Sequence, residues 1–377
     1  MYVIYTRRMT EWFFFFLVIF LYIHILQQYK CSDEKDVYEM DYIDNTNLQQ
    51  SCQLLQPIVF STHRDNVPET QRVGGSEPSM ETRSNGRVSG DEILPKLPSL
   101  DDAVGEVGSE QLSLGIMDET STKYATPIPY QLAMNLLENS STKNYYSEHN
   151  ETLLLQAAPE FLEKIQELDS FLQPPFTVQS HHDICIGAKG SYTPCRYHVN
   201  SRKFMVIQTG KITVKMAPWK KYAKYLHEIR DYELGEYRSN MNVWNPKEHH
   251  RREFDKIEFL EFDVDAGNIL YVPSYWAYSI QYQESSTVVV EYTYRTLFNR
   301  LAFLGESTRI WLQRQNTYKT WFPTKEMVKP TDSPVIPESL PIVVSTEKKE
   351  DISQDTTLLD TLPEGLVEMD LVVGQSQ

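Results

Sequence analysis

The clearest hydrophobic periodicity in the chain begins near residue 159. Phe161, Leu162, Ile165, Leu168 and Leu172 recur on one helical face, Pro159 sits where a helix opens, and Pro174-Pro175 ends it. Short apolar runs follow and predict strands over His182–Ile186, Lys203–Gln208, Ile212–Met216, Ile257–Val264, Ile269–Val272, Ala277–Tyr282 and Thr287–Tyr294. Gly187, Gly190, Gly210 and Gly267 punctuate them as turns. A last helix is predicted over roughly Leu297–Gln315 on the spacing of Leu297, Leu301, Leu304, Ile310 and Leu312. Many short strands with helices at both ends predict a mainly β domain, an antiparallel sandwich or barrel with flanking helices, over residues 126–322.

A different pattern occupies the N-terminus. Trp12 to Leu26 is an uncharged apolar run, and Gln27, Gln28 and Tyr29 extend it. Fifteen helical residues rise only about 22 Å, short of the roughly 30 Å hydrocarbon core, but Arg7, Arg8 and Lys30 can snorkel outwards. A cleaved signal peptide has an apolar region of this length. No small-x-small site follows, since Gln27, Gln28, Tyr29 and Lys30 are bulky. The reading is a transmembrane signal anchor over 12–29 after a short cytosolic N-terminus, 1–11. Arg7 and Arg8 before the span then leave the rest lumenal or extracytosolic, in a type II single-pass arrangement. Translocation would expose the sequons at Asn139 and Asn150. Cys31, Cys52, Cys185 and Cys195 have no diagnostic spacing; Cys185 and Cys195 either pair across neighbouring strands or stay as buried thiols.

Charge separates the remaining parts. Residues 31–125 hold 18 acids and 7 bases, and 323–377 hold 11 and 4, whereas 126–322 holds 22 of each. The formal charge of −16 thus belongs to the flanks and argues against nucleic-acid binding. The segments 30–125 and 323–377 read as an acidic disordered spacer and an acidic disordered tail. The patches Leu54–Phe60 and Ile93–Leu100 are too small for a core of their own, and Leu358–Val373 is either disordered tail or a docking peptide.

Three stretches carry a family resemblance. Ile186-Gly-Ala-Lys-Gly-Ser-Tyr-Thr-Pro194, Gly210-Lys-Ile-Thr-Val-Lys-Met-Ala-Pro218 and Ala266-Gly-Asn-Ile-Leu-Tyr-Val-Pro-Ser-Tyr-Trp276 follow one another in the order and spacing of the cupin-like JmjC superfamily. The last is the most specific, with Ala266 and Asn268 as departures from that family's pattern. The resemblance spans about residues 155–316 and implies a double-stranded β-helix, or jelly roll. A looser similarity, through Thr193-Pro-Cys-Arg-Tyr-His198 and Tyr275-Trp-Ala-Tyr-Ser279, is to membrane-anchored cupin-like proteins of large DNA viruses and algae.

Oxygenases of that superfamily hold Fe(II) with His-x-Asp/Glu and a distal His, leaving positions for 2-oxoglutarate and oxygen. The resemblance puts Arg196 at the first His, His198 at the carboxylate and Tyr278 at the distal His. Arginine stays protonated and offers no acceptor. These three are expected to line a polar pocket instead, with Arg196 paired to a carboxylate or to an anionic ligand. Tyr192, Thr193 and Lys211 are the candidates for a cosubstrate pocket, although the family's 2-oxoglutarate lysine aligns near Ile212 and Lys211 turns to the other strand face.

The implied function is a degenerate, non-catalytic binding or scaffold module without cofactor, partnered by a protein or an anionic small molecule. The alternatives are an Fe(II)/2-oxoglutarate hydroxylase altered around His198, or a structural tether acting through its flanks. A relocated metal site would join His198 to His181 and Asp183, which alternation puts on one strand face. His249-His250-Arg251-Arg252 is either a metal or anion site or a solvated loop. Lys220, Lys221 and Lys224 with Tyr222 and Tyr225 are either a basic-aromatic contact for phosphate, glycan or lipid headgroups or an amphipathic surface helix. Asp231–Trp244 carries residues suited to a binding face, which core packing explains equally. The last helix resembles a dimerising end, so a homodimer is expected.

Overall fold

Period-two alternation along residues 177–296 dictates two facing sheets with a shared interior. The computed structural model describes residues 2–61, 94–95, 97–107, 112–117, 125–139, 144–156, 159–231 and 235–314. The tail 323–377, its Leu358–Val373 stretch and residues 62–93 and 118–124 of the spacer lie outside these.

The N-terminal portion runs α1 Tyr2–Gln27, β1 Tyr38–Asp41, α2 Asn45–Cys52, β2 Ile58–Ser61, α3 Leu100–Val107, β3 Ser113–Met117 and β4 Thr126–Pro129. It continues with α4 Tyr130–Asn139, β5 Tyr146–Ser147, α5 Glu151–Gln156 and α6 Pro159–Leu172. The strand-rich portion holds β6 Thr177–Gly187, β7 Arg196–Tyr197, β8 Arg202–Thr209 and β9 Lys211–Pro218, then α7 Trp219–Leu226, β10 Glu228–Asp231 and β11 Glu236–Ser239. A 3-10 turn at Glu248–His250 leads into α8 Arg251–Phe254. The chain then runs β12 Leu260–Asp265, β13 Asn268–Val272, β14 Trp276–Tyr282, β15 Thr287–Thr296, α9 Leu297–Ala302 and α10 Leu304–Arg314.

Nine strands form one sheet in the order β1-β2-β13-β8-β15-β6-β5-β3-β4, and six form the other, β10-β11-β7-β14-β9-β12. Only β1 and β2 pair in parallel among the described strands. Val289, Met205, Ile207, Cys185, Leu270, Val214, Met216 and Ile280 fill the space between the sheets. The alternate residues, including Val288, Val290, Tyr292, Phe204 and Ile184, meet the apolar faces of α2 to α6 on the outer side of the large sheet. Trp219, Tyr222 and Leu226 of α7 cover the small sheet with Tyr197, Ala217 and Ala277. Gly210, at φ +77°, makes the tight β8–β9 turn that an L side chain disfavours. At Gly187 a Cβ would lie 2.0 Å from the Tyr282 ring, so only glycine lets that ring reach the interior.

Each strand predicted from residue 177 onward is present. The helix predicted from Pro159 ends at Leu172 as expected. The last helix is broken at Phe303, whose buried ring packs near Tyr29 and Tyr275, giving α9 and α10.

The spacer reading needs correction. Within 30–125, Leu48, Ile58, Phe60, Leu94, Leu97, Leu100, Val104, Leu114 and Ile116 are buried in the main core. β2 pairs with β13, Ile58 opposite Tyr271 and Phe60 opposite Ile269. Such short patches make no core alone; they complete one whose other half lies 200 residues away.

The anchor expected over 12–29 falls on α1, and no helix among the described residues is long and apolar enough to cross a membrane. The uncharged run is about 22 Å long, and its C-terminal third is engaged by the domain. Phe20 and His24 stack near Phe298, at 5.9 and 4.7 Å between ring centroids. Trp12 to Val18 remain exposed. All four cysteines are free thiols.

Candidate functional site

Arg196, His198 and Tyr278, the three residues that the family resemblance singles out, converge inside the barrel. β7 carries Arg196, and the alternation 196, 197, 198 turns Arg196 and His198 inward while Tyr197 joins the outer cluster. Tyr278 of β14 pairs in register with Arg196. The Arg196 guanidinium carbon lies 5.8 Å from the centre of the Tyr278 ring, and the His198 ring 6.4 Å from it. All three are buried.

What surrounds them is charge rather than open pocket. Arg196 donates to Glu148 Oε1 through one guanidinium nitrogen and to Glu236 Oε1, at 3.3 Å, through the other. Glu236 also receives His149 Nε2 at 3.1 Å and Arg238 Nε at 3.4 Å. Lys203 Nζ lies 2.7 Å from Glu291 Oε2 and 2.9 Å from the Tyr278 hydroxyl. Asp183 accepts the backbone N–H groups of His149 and Asn150 at 2.9 and 2.7 Å.

Electrostatics follow from this packing. Burial disfavours the charged form of Arg196, but Glu148, Tyr278 and Glu236 outweigh it, so the guanidinium stays charged. Burial likewise opposes Lys203 and Glu291, and each ionises the other. Burial, with Lys203 nearby, pushes His198 down to about 3, so its imidazole is neutral. Its Nε2 donates to Val272 O at 2.9 Å, and its Nδ1 meets no partner. Burial and Glu291 raise Asp183 to about 6. Burial opposes ionisation of Glu236, yet His149 and Arg196 bring it down to about 2.

These residues do not fit the Fe(II) and 2-oxoglutarate that the fold family implies. Arg196 offers no lone pair, the Tyr278 hydroxyl is held by Lys203, and the two buried cations Arg196 and Lys203 on either side of Tyr278 would repel a divalent ion. Asp183, Cys185 and Glu291 bring ligand atoms within 4.8 Å of one another. Yet Asp183 is held by amides, Glu291 by Lys203, and burial keeps the Cys185 thiol protonated. His181 shares the face of Asp183 but lies at the rim, 3.5 Å from Glu151.

The cosubstrate candidates are not gathered into this cluster. Lys211 pairs with Asp263 and Asp265 of β12, at 2.9 and 3.3 Å, on a partly exposed surface. Thr193 Oγ1 accepts from Ile280 N–H, and the Tyr192 hydroxyl accepts from Asn242 Nδ2, so both tie their loop to neighbouring segments. The sequence reading missed Lys203, Glu291, Glu148 and Glu236. A signal for the first two existed: each interrupts a buried apolar run, Lys203 before Phe-Met-Val-Ile and Glu291 after Val-Val-Val.

Two surface expectations also resolve. Lys220, Lys221 and Lys224 sit over the rings of Tyr275, Tyr222 and Tyr225 at 4.1, 5.0 and 4.6 Å, on an amphipathic helix. Tyr237 and Trp244 of the 231–244 segment pack into the small-sheet cluster, while Tyr232 lies outside the described residues.

The family profile of the cupin-like domain matches residues 106–300, just over half of the 377-residue chain. No curated protein matches it. The matched span runs from the end of α3 to α9 and takes in the six-stranded sheet, all of the nine-stranded sheet except β1 and β2, and the Arg196 cluster, and on that ground this chain belongs to the cupin-like domain family.

Proposed function

We propose that this chain is a non-catalytic cupin-like module, a binding or scaffold domain tethered to a membrane by its N-terminal helix. One observation carries the first half: Arg196, at the position of an oxygenase's first iron-binding histidine, is buried against Glu148 and Glu236. The carboxylate expected opposite Arg196 is thus supplied by the chain itself. An anionic ligand would have to displace it, so a protein partner on the outer surface is the better reading. No cofactor is called for.

Exposed apolar side chains from Trp12 to Val18 support the tether, and Arg7 and Arg8 next to them would suit an anionic membrane surface. Leu297, Leu301, Leu304 and Trp311 are exposed on α9 and α10 and would suit a homodimer. The acidic flanks offer nucleic acid no attraction.

The deciding experiment titrates the purified full chain anaerobically with Fe(II) and 2-oxoglutarate. The expected result is no visible charge-transfer band and no stoichiometric metal. A band lost in His198→Ala would overturn the proposal in favour of an altered hydroxylase. Membrane tethering is read separately by carbonate extraction of the full chain; release into the soluble fraction would remove that half alone.

A further inference from the structure

The insertion between β9 and β12 brings together two imidazoles and a carboxylate that the barrel does not use. His227 caps the C-terminus of α7, and Glu253 belongs to α8, which packs against α7. His227 Nε2 lies 2.5 Å from Glu253 Oε2, and His250 Nδ1 lies 3.6 Å from the same oxygen. The three ligand atoms all fall within 4.8 Å of one another. We propose that His227, His250 and Glu253 form a binding site for one divalent transition-metal ion of the zinc class, independent of the barrel interior.

The dimensions suit such an ion. Zinc–nitrogen and zinc–oxygen bonds of about 2.1 Å at tetrahedral angles put ligand atoms roughly 3.4 Å apart. The pairs here straddle that value, so side-chain rotations suffice. Two imidazoles and one carboxylate select zinc or cobalt over magnesium or calcium, which take oxygen ligands. Three protein ligands also leave a position open to water.

The chain accepts a local cost to make the cluster. His227 has φ +50°, a left-handed C-cap conformation that glycine adopts freely and that an L residue disfavours. Through that turn, residues 23 positions apart in sequence share one carboxylate oxygen. His249 stacks 4.1 Å from His250 and stands beside the site.

The test uses the full chain, purified without a polyhistidine tag and titrated with Co(II) while visible d–d absorption is followed. One equivalent should bind, be displaced by zinc and be untouched by magnesium. Affinity should fall more than about a hundredfold in His250→Ala and in Glu253→Gln, beyond the roughly tenfold to hundredfold that loss of an outer-shell partner costs, and stay unchanged in His198→Ala. Zinc should raise the Tm of the wild type and leave that of His227→Ala, an exposed position, unmoved. No d–d band in the wild type, or a band that survives both ligand substitutions, would overturn the site. A band abolished by His198→Ala would place the metal in the barrel instead, and would equally overturn it.

Discussion

Lys203 Nζ and Glu291 Oε2 lie 2.7 Å apart in the barrel interior, on adjacent strands β8 and β15, with both side chains about one-tenth exposed. Removing either partner leaves the other charge buried and unpaired, whereas removing both can be neutral. Lys203→Met and Glu291→Gln should each cost about 3–5 kcal/mol, and Lys203→Met/Glu291→Leu should recover most of it. Denaturant unfolding of the three variants checks this. Additive losses in the double variant would show that the pair is not a closed unit.

Arg196 serves two carboxylates at once, Glu148 and Glu236, from separate guanidinium nitrogens. A lysine cannot reproduce that planar fork. Arg196→Lys is therefore expected to lose about 1–3 kcal/mol, the cost of one buried carboxylate left underserved. Thermal melts should place it clearly below wild type; an unchanged melt would mean that the fork contributes nothing.

Burial holds His198 at about 3, against 6.5 for a free imidazole. The unfolded chain takes up this proton as pH falls through 6.5, and the folded chain does so only near 3. Stability from this group is complete above pH 6.5 and is lost as pH falls towards 3. Asp183 acts in the opposite sense: raised from 3.8 to about 6, it contributes stability below 3.8 that is lost as pH rises through 6. Because the windows overlap, the test compares wild type with His198→Asn at each pH. The deficit of the variant should shrink by about 3 kcal/mol between pH 7 and pH 4. A deficit independent of pH would refute the assignment.

Strands β2 and β3 belong to the core, so a fragment starting at residue 126 should not fold, while one spanning 31–314 should. Ile58→Asp, which places a carboxylate in a fully buried position of β2, should cost more than about 3 kcal/mol and mimic the truncation. Circular dichroism of both fragments decides it, and a folded 126–314 fragment would sink the prediction.

Asn150 donates to Ser147 Oγ and to Ile184 O, each at 2.8 Å, and its side-chain oxygen accepts from Gly115 N–H. A side chain so enclosed offers no amide to glycosylation machinery once the domain is folded. Asn139, exposed at the end of α4, does. In cells that direct the chain into the secretory lumen, Asn139→Gln should abolish the mobility shift removed by a glycosidase. Asn150→Gln should leave that shift in place but lower stability.

Period-two strands from residue 177, punctuating glycines and the 210–276 motifs made the two-sheet framework legible. The resemblance to the cupin-like JmjC superfamily, rather than the strand pattern, put Arg196, His198 and Tyr278 together. Partners from outside that span were not legible. Glu148 approaches Arg196 from the loop after β5, and Glu236 from the insertion, at sequence distances of 48 and 40 residues that no local pattern encodes. Ile58 and Phe60 failed for the same reason: four-residue strands carry little periodicity, and what makes them a core is a partner strand far along the chain. The apolar run at residues 12–26 was plain, but its contact with Phe298 was not.

The pairing of Ile58 with Tyr271 also sets the order of events at birth. By the time Tyr271 is synthesised, β2 has been waiting through 213 further residues, its apolar edge uncovered. Contacts of such separation fold slowly and leave aggregation-prone intermediates. The yield of this protein should therefore depend on chaperone supply more than its final stability suggests.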